Sequence, residues 1–280
     1  MTYSLFQEIT DFDHLCQGDI LQAGADENEK FGILITADCD LAQDKTHGEL
    51  NMLEMVTAES FFRDIWPARE HKHLADEILK NSLAKIKEHK SIKSAGNLNL
   101  NEETLCDWIR SDGHEKVCED LGKSRQTNQL LPFLKSLEKV LCNPTPSKNQ
   151  IFDLWNELNK SDGYKKDRIN RAIDPSKGQA DVFFLPYLPQ HAEIGYVTLL
   201  RRIRQVDESN VFRNRQEKLR SSSEPGYFRI ARLTDNLRFS LVQKMSVLFS
   251  RIGHEIDFET ELREASNITI NTMIAEGRVS

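Results

Sequence analysis

Two carboxylates and a thiol stand together where an apolar segment of this chain ends. Asp38, Cys39 and Asp40 follow the apolar run at 33–36, and sites are often built where strands end. If the strand continues through them, Asp38 and Asp40 project to the same side, close enough to share a divalent cation or to shift each other's pKa. The structural alternative is a turn, in which the aspartates end the strand and Cys39 faces inward as a small apolar residue.

The same three residues resemble the start of phosphatases of the haloacid dehalogenase class, in which Asp-x-Asp follows an apolar strand. The resemblance implies that Asp38 is the nucleophile and Asp40 the general acid/base, with Mg²⁺ bound between them. Leu41 and Ala42 depart from the residues usual in that class, and no Gly-Asp-x-x-x-Asp motif follows downstream. A Mg²⁺-dependent phosphatase is therefore one alternative function.

A basic segment is the second candidate for chemistry. Residues 199–251 hold twelve Lys/Arg and five Asp/Glu, although the whole chain has a formal net charge of −7. This separation of charge predicts one basic face on an acidic body. The structural alternative is a solvated strand face whose arginines pair with acidic helices. The candidate contacts to RNA or to a protein partner are Arg201, Arg202, Arg204, Arg213 and Arg215.

Several other classes of site lack support in the sequence. The motifs of phosphate-binding loops, of dinucleotide-binding turns and of the hydrolase nucleophile elbow do not occur. Zinc needs four ligands at workable spacing. The nearest approaches to such a set fall short of it: Cys39 with His47, and His71, His73 and His89. We therefore predict no metal and no cofactor.

The cysteines and the apolar runs bear on the cellular compartment. The five cysteines form no C-x-x-C pair and are odd in number, which favours reduced thiols over a disulfide framework. The longest apolar runs are far shorter than the roughly 20 residues that span a bilayer. The first residues show no basic start followed by an apolar stretch of signal length. These features predict a cytoplasmic protein without a membrane segment.

Five strands are predicted from short apolar and β-branched runs bounded by polar turns. Three of them lie within the first sixty residues, which suggests a small barrel or a curled sheet. Pro186 makes the fourth strand an edge strand or a bulged one. The predicted strands are 18–21, 31–36, 50–57, 181–188 and 195–206.

Helical spacing of apolar residues dominates the region between these strands. Ser147 and Gln150 have the spacing of a capping box, in which each side chain satisfies one free backbone amide of the next helix. The polar stretch 161–178 contains Gly163, Pro175 and Gly178 and is predicted to be a loop. A further helix is predicted to start at Thr234 or Asp235 and to end near Arg251 and Gly253. The other predicted helices begin near residues 68, 101, 130 and 151.

The predicted fold class is α+β, with a small SH3-like β-barrel or curled sheet, a long helical insertion and a C-terminal helix. The domain prediction is a split β module, 1–66 and 179–280, interrupted by a helical insertion at 67–178. In this arrangement the strands at 181–206 rejoin those at 18–57. Two sequential domains fit the sequence almost as well.

The N-terminal strands resemble the start of MazF/PemK-like toxins, whose SH3-like barrel opens with Gly-Asp-Val/Ile. The matching residues are Gly18-Asp19-Ile20, a charged loop ending at Lys30, the strand 33–36 and Met55-Val56-Thr57. The resemblance implies a metal-independent, sequence-selective endoribonuclease that acts as a homodimer. It also implies that Lys30 replaces the family's arginine and that Thr57 is the threonine assisting attack by the 2′-OH.

Lysine lacks the bidentate fork with which arginine stabilises a pentavalent phosphate, and the helical segment is an addition to the family's compact chain. We therefore expect a non-enzymatic binding or regulatory protein of a bacterial toxin–antitoxin or anti-phage system that contacts RNA or a protein partner. The first alternative is a metal-independent endoribonuclease of MazF/PemK type that uses Lys30, Thr57 and the basic strand, with Asp38 and Asp40 in support. The phosphatase is the second.

Overall fold

The computed structural model describes residues 4–24, 29–89, 100–173, 181–221, 226–250 and 264–265. These residues form a mixed α+β fold, which confirms the predicted class. The strands are β1 (Asp19–Ala23), β2 (Lys30–Leu34), β3 (Glu49–Thr57), β4 (Val182–Leu185), β5 (Tyr196–Asp207), β6 (Val211–Phe212) and β7 (Tyr227–Arg232). The five predicted strands correspond to β1 to β5, whereas β6 and β7 were not predicted.

All seven strands belong to one sheet with the order β4-β5-β3-β2-β1-β7-β6. Neighbours are antiparallel except β6 and β7, which are parallel. The pairing of β3 with β5 runs from Glu49↔Asp207 to Thr57↔Tyr196. This long pairing places the strands before and after the helical region in the same sheet.

The predicted SH3-like barrel is not confirmed, because the sheet is open. The strands β4 and β6 form its two edges, and no pairing between them closes the sheet among the strands that the structure describes. The register shifts between Leu53 and Met55 on β3 and between Ile20 and Leu21 on β1. Irregularities of this kind bend and twist a strand without closing the sheet.

The helices follow the predicted pattern with three exceptions, at residues 38–42, 162–173 and 215–220. They are α1 (Asp38–Ala42), α2 (Trp66–Glu88), α3 (Glu102–Leu121), α4 (Arg125–Cys142), α5 (Lys148–Glu157), α6 (Asp162–Ile173), α7 (Arg215–Arg220) and α8 (Asp235–Ser250). The turn Ala58–Ser60 and the π-helical turn Phe61–Ile65 lead from β3 into α2. The predicted capping box of Ser147 and Gln150 is confirmed. The predicted end of the last helix, at Arg251 and Gly253, lies outside the described residues.

The loop predicted at 161–178 is wrong over most of its length, because residues 162–173 form α6. Two contacts to α2 hold this polar helix in place. Arg168 donates two hydrogen bonds of 3.0 and 2.7 Å to Glu70, which is only 2% exposed, and Tyr164 donates one of 2.9 Å to Glu77. The predicted breakers Pro175 and Gly178 lie outside the described residues.

Three apolar clusters hold the layers together. The largest joins the helices α2 to α6 and includes the starts of β4 and β5. The second lies between the sheet and α8, where Leu241 and Leu248 meet strand residues such as Ile33. The third lies on the opposite face of the sheet and includes Leu34 and Met52, since neighbouring strand residues point to opposite faces. No helix in the described part of the chain is long and apolar enough to cross a membrane.

Gly195 allows the start of β5 to approach the end of β3. It has a φ of +90°, its carbonyl accepts a 2.8 Å hydrogen bond from the amide of Ala58, and a Cβ there would lie 2.9 Å from the ring of Phe184. Gly122 has a similar φ of +81° but nothing within 4 Å of the added atom. A side chain at Gly195 would therefore cause both backbone strain and steric overlap, whereas one at Gly122 would cause backbone strain alone.

We expect Gly195→Ala to lower the free energy of unfolding by about 2–3 kcal/mol, because strain and overlap act together. Gly122→Ala introduces the strain alone and should cost about 1 kcal/mol. Urea denaturation of both variants measures the difference. Equal losses for the two variants would show that the close approach at Gly195 does not matter for stability.

Candidate nucleic-acid interface

A cleft of about 280 Å³ lies on the sheet and is called the sheet cleft here. Its apolar lining comes from β2 and β3 and is largely buried, whereas its charged and hydroxyl-bearing lining is more exposed. The apolar residues are Phe31, Met52, Met55 and Val56, and the polar residues are Glu29, Lys30, Glu54, Thr57, Ser60, Arg204 and Tyr227. Three predicted site residues thus share one cleft: Lys30, Thr57 and Arg204.

Two arginines of β5 share a single carboxylate at this cleft. Arg202 Nη1 donates to Glu54 Oε1 at 2.9 Å, and Arg204 Nε donates to Glu54 Oε2 at 2.9 Å. The Glu54 side chain is 16% exposed, whereas those of Arg202 and Arg204 are 52% and 55% exposed. One positive charge therefore remains in excess, and it faces solvent.

Lys30 adds a third cation. Its side chain is exposed at the start of β2, and it has no hydrogen bond or ion pair to any residue within the described ranges. An ammonium group without a partner is fully available to an anion. With Arg202 included, the cations at the sheet cleft are Arg202, Arg204 and Lys30 and the carboxylates are Glu54 and Glu29, so one positive charge is in excess.

Thr57 is engaged in starting the helical region. Its Oγ1 accepts a 3.1 Å hydrogen bond from the amide of Ser60 and donates one of 3.0 Å to Ser60 Oγ. This is an N-cap arrangement, which satisfies an otherwise free amide of the first turn. The single hydroxyl proton is therefore already donated within the protein, and one of the two lone pairs is in use.

Tyr227 supplies a hydroxyl to the same cleft. Its side chain belongs to the third apolar cluster and the residue is 8% exposed, but its hydroxyl has no hydrogen-bond partner among the described residues. Burial raises the pKa of Tyr227 above its ordinary value, and the nearby Arg204 opposes this shift. The phenol is consequently a neutral donor at neutral pH rather than a base.

Asp38 and Asp40 do not line the sheet cleft. The strand does not continue through them, because β2 ends at Leu34 and both aspartates lie in α1. Asp38 accepts 2.7 Å hydrogen bonds from the amide of Gln17 and from Arg238 Nη1. Both of its oxygens therefore tie α1 to a neighbouring loop and to α8.

Cys39 is exposed, so the expectation that it faces inward in a turn is also wrong. Its Sγ lies 3.5 Å from Asp40 Oδ1. Within the part of the chain that the structure describes, no group of three or more His, Cys, Asp or Glu side chains is placed to hold a metal ion.

The remaining predicted arginines lie elsewhere. Arg201 points away from Glu54 and its Nε is 3.9 Å from Asp181 Oδ2. Arg213 and Arg215 line a second, more polar cleft, and Arg213 forms an ion pair with Glu217. The five arginines therefore do not form one continuous row.

Sequence reasoning missed Glu54 and the strand that places Tyr227 at the cleft. Glu54 is the only charged residue of the predicted strand 50–57, and a charge inside an apolar strand is a usable indication of a site. Tyr227 follows a polar stretch and starts a strand that was not predicted. Its position opposite β1 depends on a pairing between distant segments.

Comparison of the chain with protein-family models, with curated proteins and with solved structures found no match.

Proposed function

We propose that the protein binds single-stranded RNA without cleaving it, and that the sheet cleft is the binding site. The observation that carries the proposal is the excess of positive charge beside an apolar lining. Arg202 and Arg204 share the carboxylate of Glu54, and Lys30 has no partner among the described residues. Phosphate binding requires such uncompensated cations.

The apolar part of the cleft favours a nucleotide over a bare inorganic anion. Met52 and the ring of Tyr227 belong to the apolar cluster on the face of the sheet that carries Arg204, and unstacked bases of single-stranded RNA bind to apolar and aromatic side chains. The Tyr227 hydroxyl and the Glu54 carboxylate offer a donor and an acceptor to a base edge. A cleft of about 280 Å³ is close to the lower end of the usual range for small-ligand sites, about 300 Å³.

The chemistry of the cleft favours binding over cleavage. The hydroxyl of Thr57 already donates to one partner and accepts from another, so it is not free to assist a 2′-OH. Lys30 offers a single point charge rather than a planar fork. Tyr227 stays protonated, because burial raises its pKa.

A metal-independent endoribonuclease is the second candidate. The observation that favours it is that Lys30 and Thr57, the two residues matched to the toxin resemblance, line the same cleft. The Mg²⁺-dependent phosphatase has less support, because both oxygens of Asp38 accept hydrogen bonds from other segments. The toxin–antitoxin or anti-phage setting, a homodimer and a cytoplasmic location stay predictions.

An assay with mixed single-stranded RNA, with and without EDTA, separates these candidates. We expect salt-sensitive binding and intact RNA. Thr57→Ala should leave the dissociation constant for RNA within about twofold and lower the free energy of unfolding by about 1 kcal/mol, because it removes an N-cap. Thr57→Ser keeps the cap and is the matched control.

RNA cleavage that persists in EDTA and disappears in Thr57→Ala would replace the binding proposal by the endoribonuclease. Neither cleavage nor binding would leave a protein partner as the ligand. Mg²⁺-dependent release of phosphate from a generic phosphomonoester, lost in Asp38→Asn, would instead support the phosphatase.

A further inference from the structure

A second cleft, of about 450 Å³, shares Glu29 with the sheet cleft and is called the arginine cleft here. Its charged lining has three cations and two carboxylates: Arg213, Arg215, Arg229, Asp11 and Glu29. Because Glu29 lines both clefts, they are neighbours on the surface. Two of the five arginines predicted to contact RNA or a partner thus lie next to the site that holds a third, Arg204.

Two of the cations in the arginine cleft have donors to spare. Arg215 is exposed and has no hydrogen bond or ion pair within the described residues. Arg229 has a side chain that is 1% exposed, and its Nη atoms donate to the carbonyls of Thr10, Asp13 and His14 at 2.8–3.0 Å. Its buried Nε has no partner in the described structure.

A buried donor without a partner costs free energy. An anion that enters the arginine cleft from the Arg215 side would be attracted to the guanidinium of Arg229. Because the Arg229 side chain is almost fully buried, this attraction acts through space and the direct contact falls to Arg215.

Glu29 is a fixed negative charge between the two clefts. Its Oε1 accepts a 2.7 Å hydrogen bond from Gln22 Nε2, and its Oε2 lies 3.7 Å from His191 Nδ1. Gln22 is 8% exposed and the Glu29 side chain 24% exposed. A carboxylate in this position repels any phosphate that lies on either side of it.

We infer that one RNA strand occupies both clefts, with one nucleotide in the sheet cleft and the next phosphate bound at Arg215, where the buried charge of Arg229 also attracts it. This inference rests on the proposed function, since it assigns a second subsite to the same ligand. Arg215 should therefore contribute to the affinity for an oligonucleotide that reaches the second cleft, but not to the affinity for a mononucleotide. The negative charge of Glu29 should lower the affinity for a strand that occupies both clefts.

The test uses the full chain and a series of 5′-labelled oligouridylates of one to eight nucleotides. Affinity should rise at least tenfold between the mononucleotide and the tetranucleotide, because the longer ligand reaches both clefts, and rise little beyond it. Arg215→Gln should remove most of this gain and leave the mononucleotide affinity unchanged. Arg220→Gln is the matched control, because Arg220 is equally exposed on α7 but lines neither cleft.

Glu29→Gln supplies a second test, in which the affinity for RNA should increase rather than decrease. The amide keeps an oxygen to accept from Gln22 and removes the negative charge between the two phosphates. Tetranucleotide affinity should increase about threefold to tenfold, and mononucleotide affinity should increase less.

The possible outcomes separate the second subsite from the proposed function. Affinity that is independent of length, or equal in Arg215→Gln and Arg220→Gln, overturns the second subsite and leaves RNA binding at the sheet cleft in place if Lys30→Gln still weakens it. No salt-sensitive binding of any oligouridylate by the wild-type chain overturns both. A length-dependent gain that only Arg215→Gln removes supports both.

Discussion

Replacing Asp19 by asparagine is expected to lower the free energy of unfolding by about 3–5 kcal/mol, because it breaks a buried ion pair from one side. Asp19 is fully buried. Its Oδ1 accepts a 2.6 Å hydrogen bond from Arg232 Nε, and its Oδ2 accepts one of 3.0 Å from Arg232 Nη2 and one of 2.8 Å from the amide of Cys16. Arg229 Nη1 lies 3.6 Å from the same carboxylate.

The loss is large because Arg229 cannot reach solvent. Its side chain is 1% exposed, so Asp19→Asn leaves a buried guanidinium without its counter-charge. The two arginines also donate to carbonyls of the segment that precedes β1, including that of His14. Loss of the carboxylate should therefore loosen that segment as well.

Urea denaturation followed by circular dichroism measures this loss. Asp107→Asn is the matched control, because it makes the same chemical change in an exposed pair with Arg110, whose side chain is 58% exposed. Asp107→Asn should hardly change the urea concentration at the midpoint of unfolding. A loss below about 1 kcal/mol in Asp19→Asn would contradict the inference that the ion pairs of Asp19 stabilise this region.

The second large effect is expected in RNA binding. The double variant Lys30→Gln, Arg204→Gln should weaken binding of single-stranded RNA by about 100-fold, because it removes two of the three cations of the sheet cleft. Arg202 and Glu54 then remain as a neutral pair. The slope of log affinity against log salt should fall in magnitude by about 1 for each charge removed.

Fluorescence anisotropy with a labelled mixed-sequence RNA, at several salt concentrations, measures both quantities. The control is the double variant Lys148→Gln, Arg110→Gln, which removes one lysine and one arginine from exposed positions on the helices. It carries the same change in net charge. If the two double variants lost affinity equally, the effect would come from overall charge and not from the cleft.

The sequence indicated β1 to β5 well because each is a short apolar run between polar turns, as at 50–57, where the structure has Glu49–Thr57. It failed at α6, because the polar stretch around Gly163 carries few apolar residues. That helix depends on Arg168 reaching the buried Glu70, 98 positions away. Contacts over such distances leave no periodic pattern in a single sequence.

The candidate site, like the fold, could be predicted only in part. Lys30 and Thr57 were chosen from the toxin resemblance and Arg204 from the basic segment, and the structure places all three around one cleft. Their meeting depends on the order β5-β3-β2 in the sheet, which spacing does not reveal. Asp38 was misjudged because its neighbours form a helix, and its partner Arg238 lies 200 positions away.

The most direct test of RNA binding at the sheet cleft is photocrosslinking of the wild-type chain to single-stranded RNA that contains 4-thiouridine, followed by peptide mapping. We predict crosslinks in the peptides that contain Phe31, Met52 or Tyr227, and their loss in the Lys30→Gln, Arg204→Gln variant. Crosslinks confined to the helices between residues 102 and 173, or unchanged by that variant, would contradict the assignment of this cleft as the binding site.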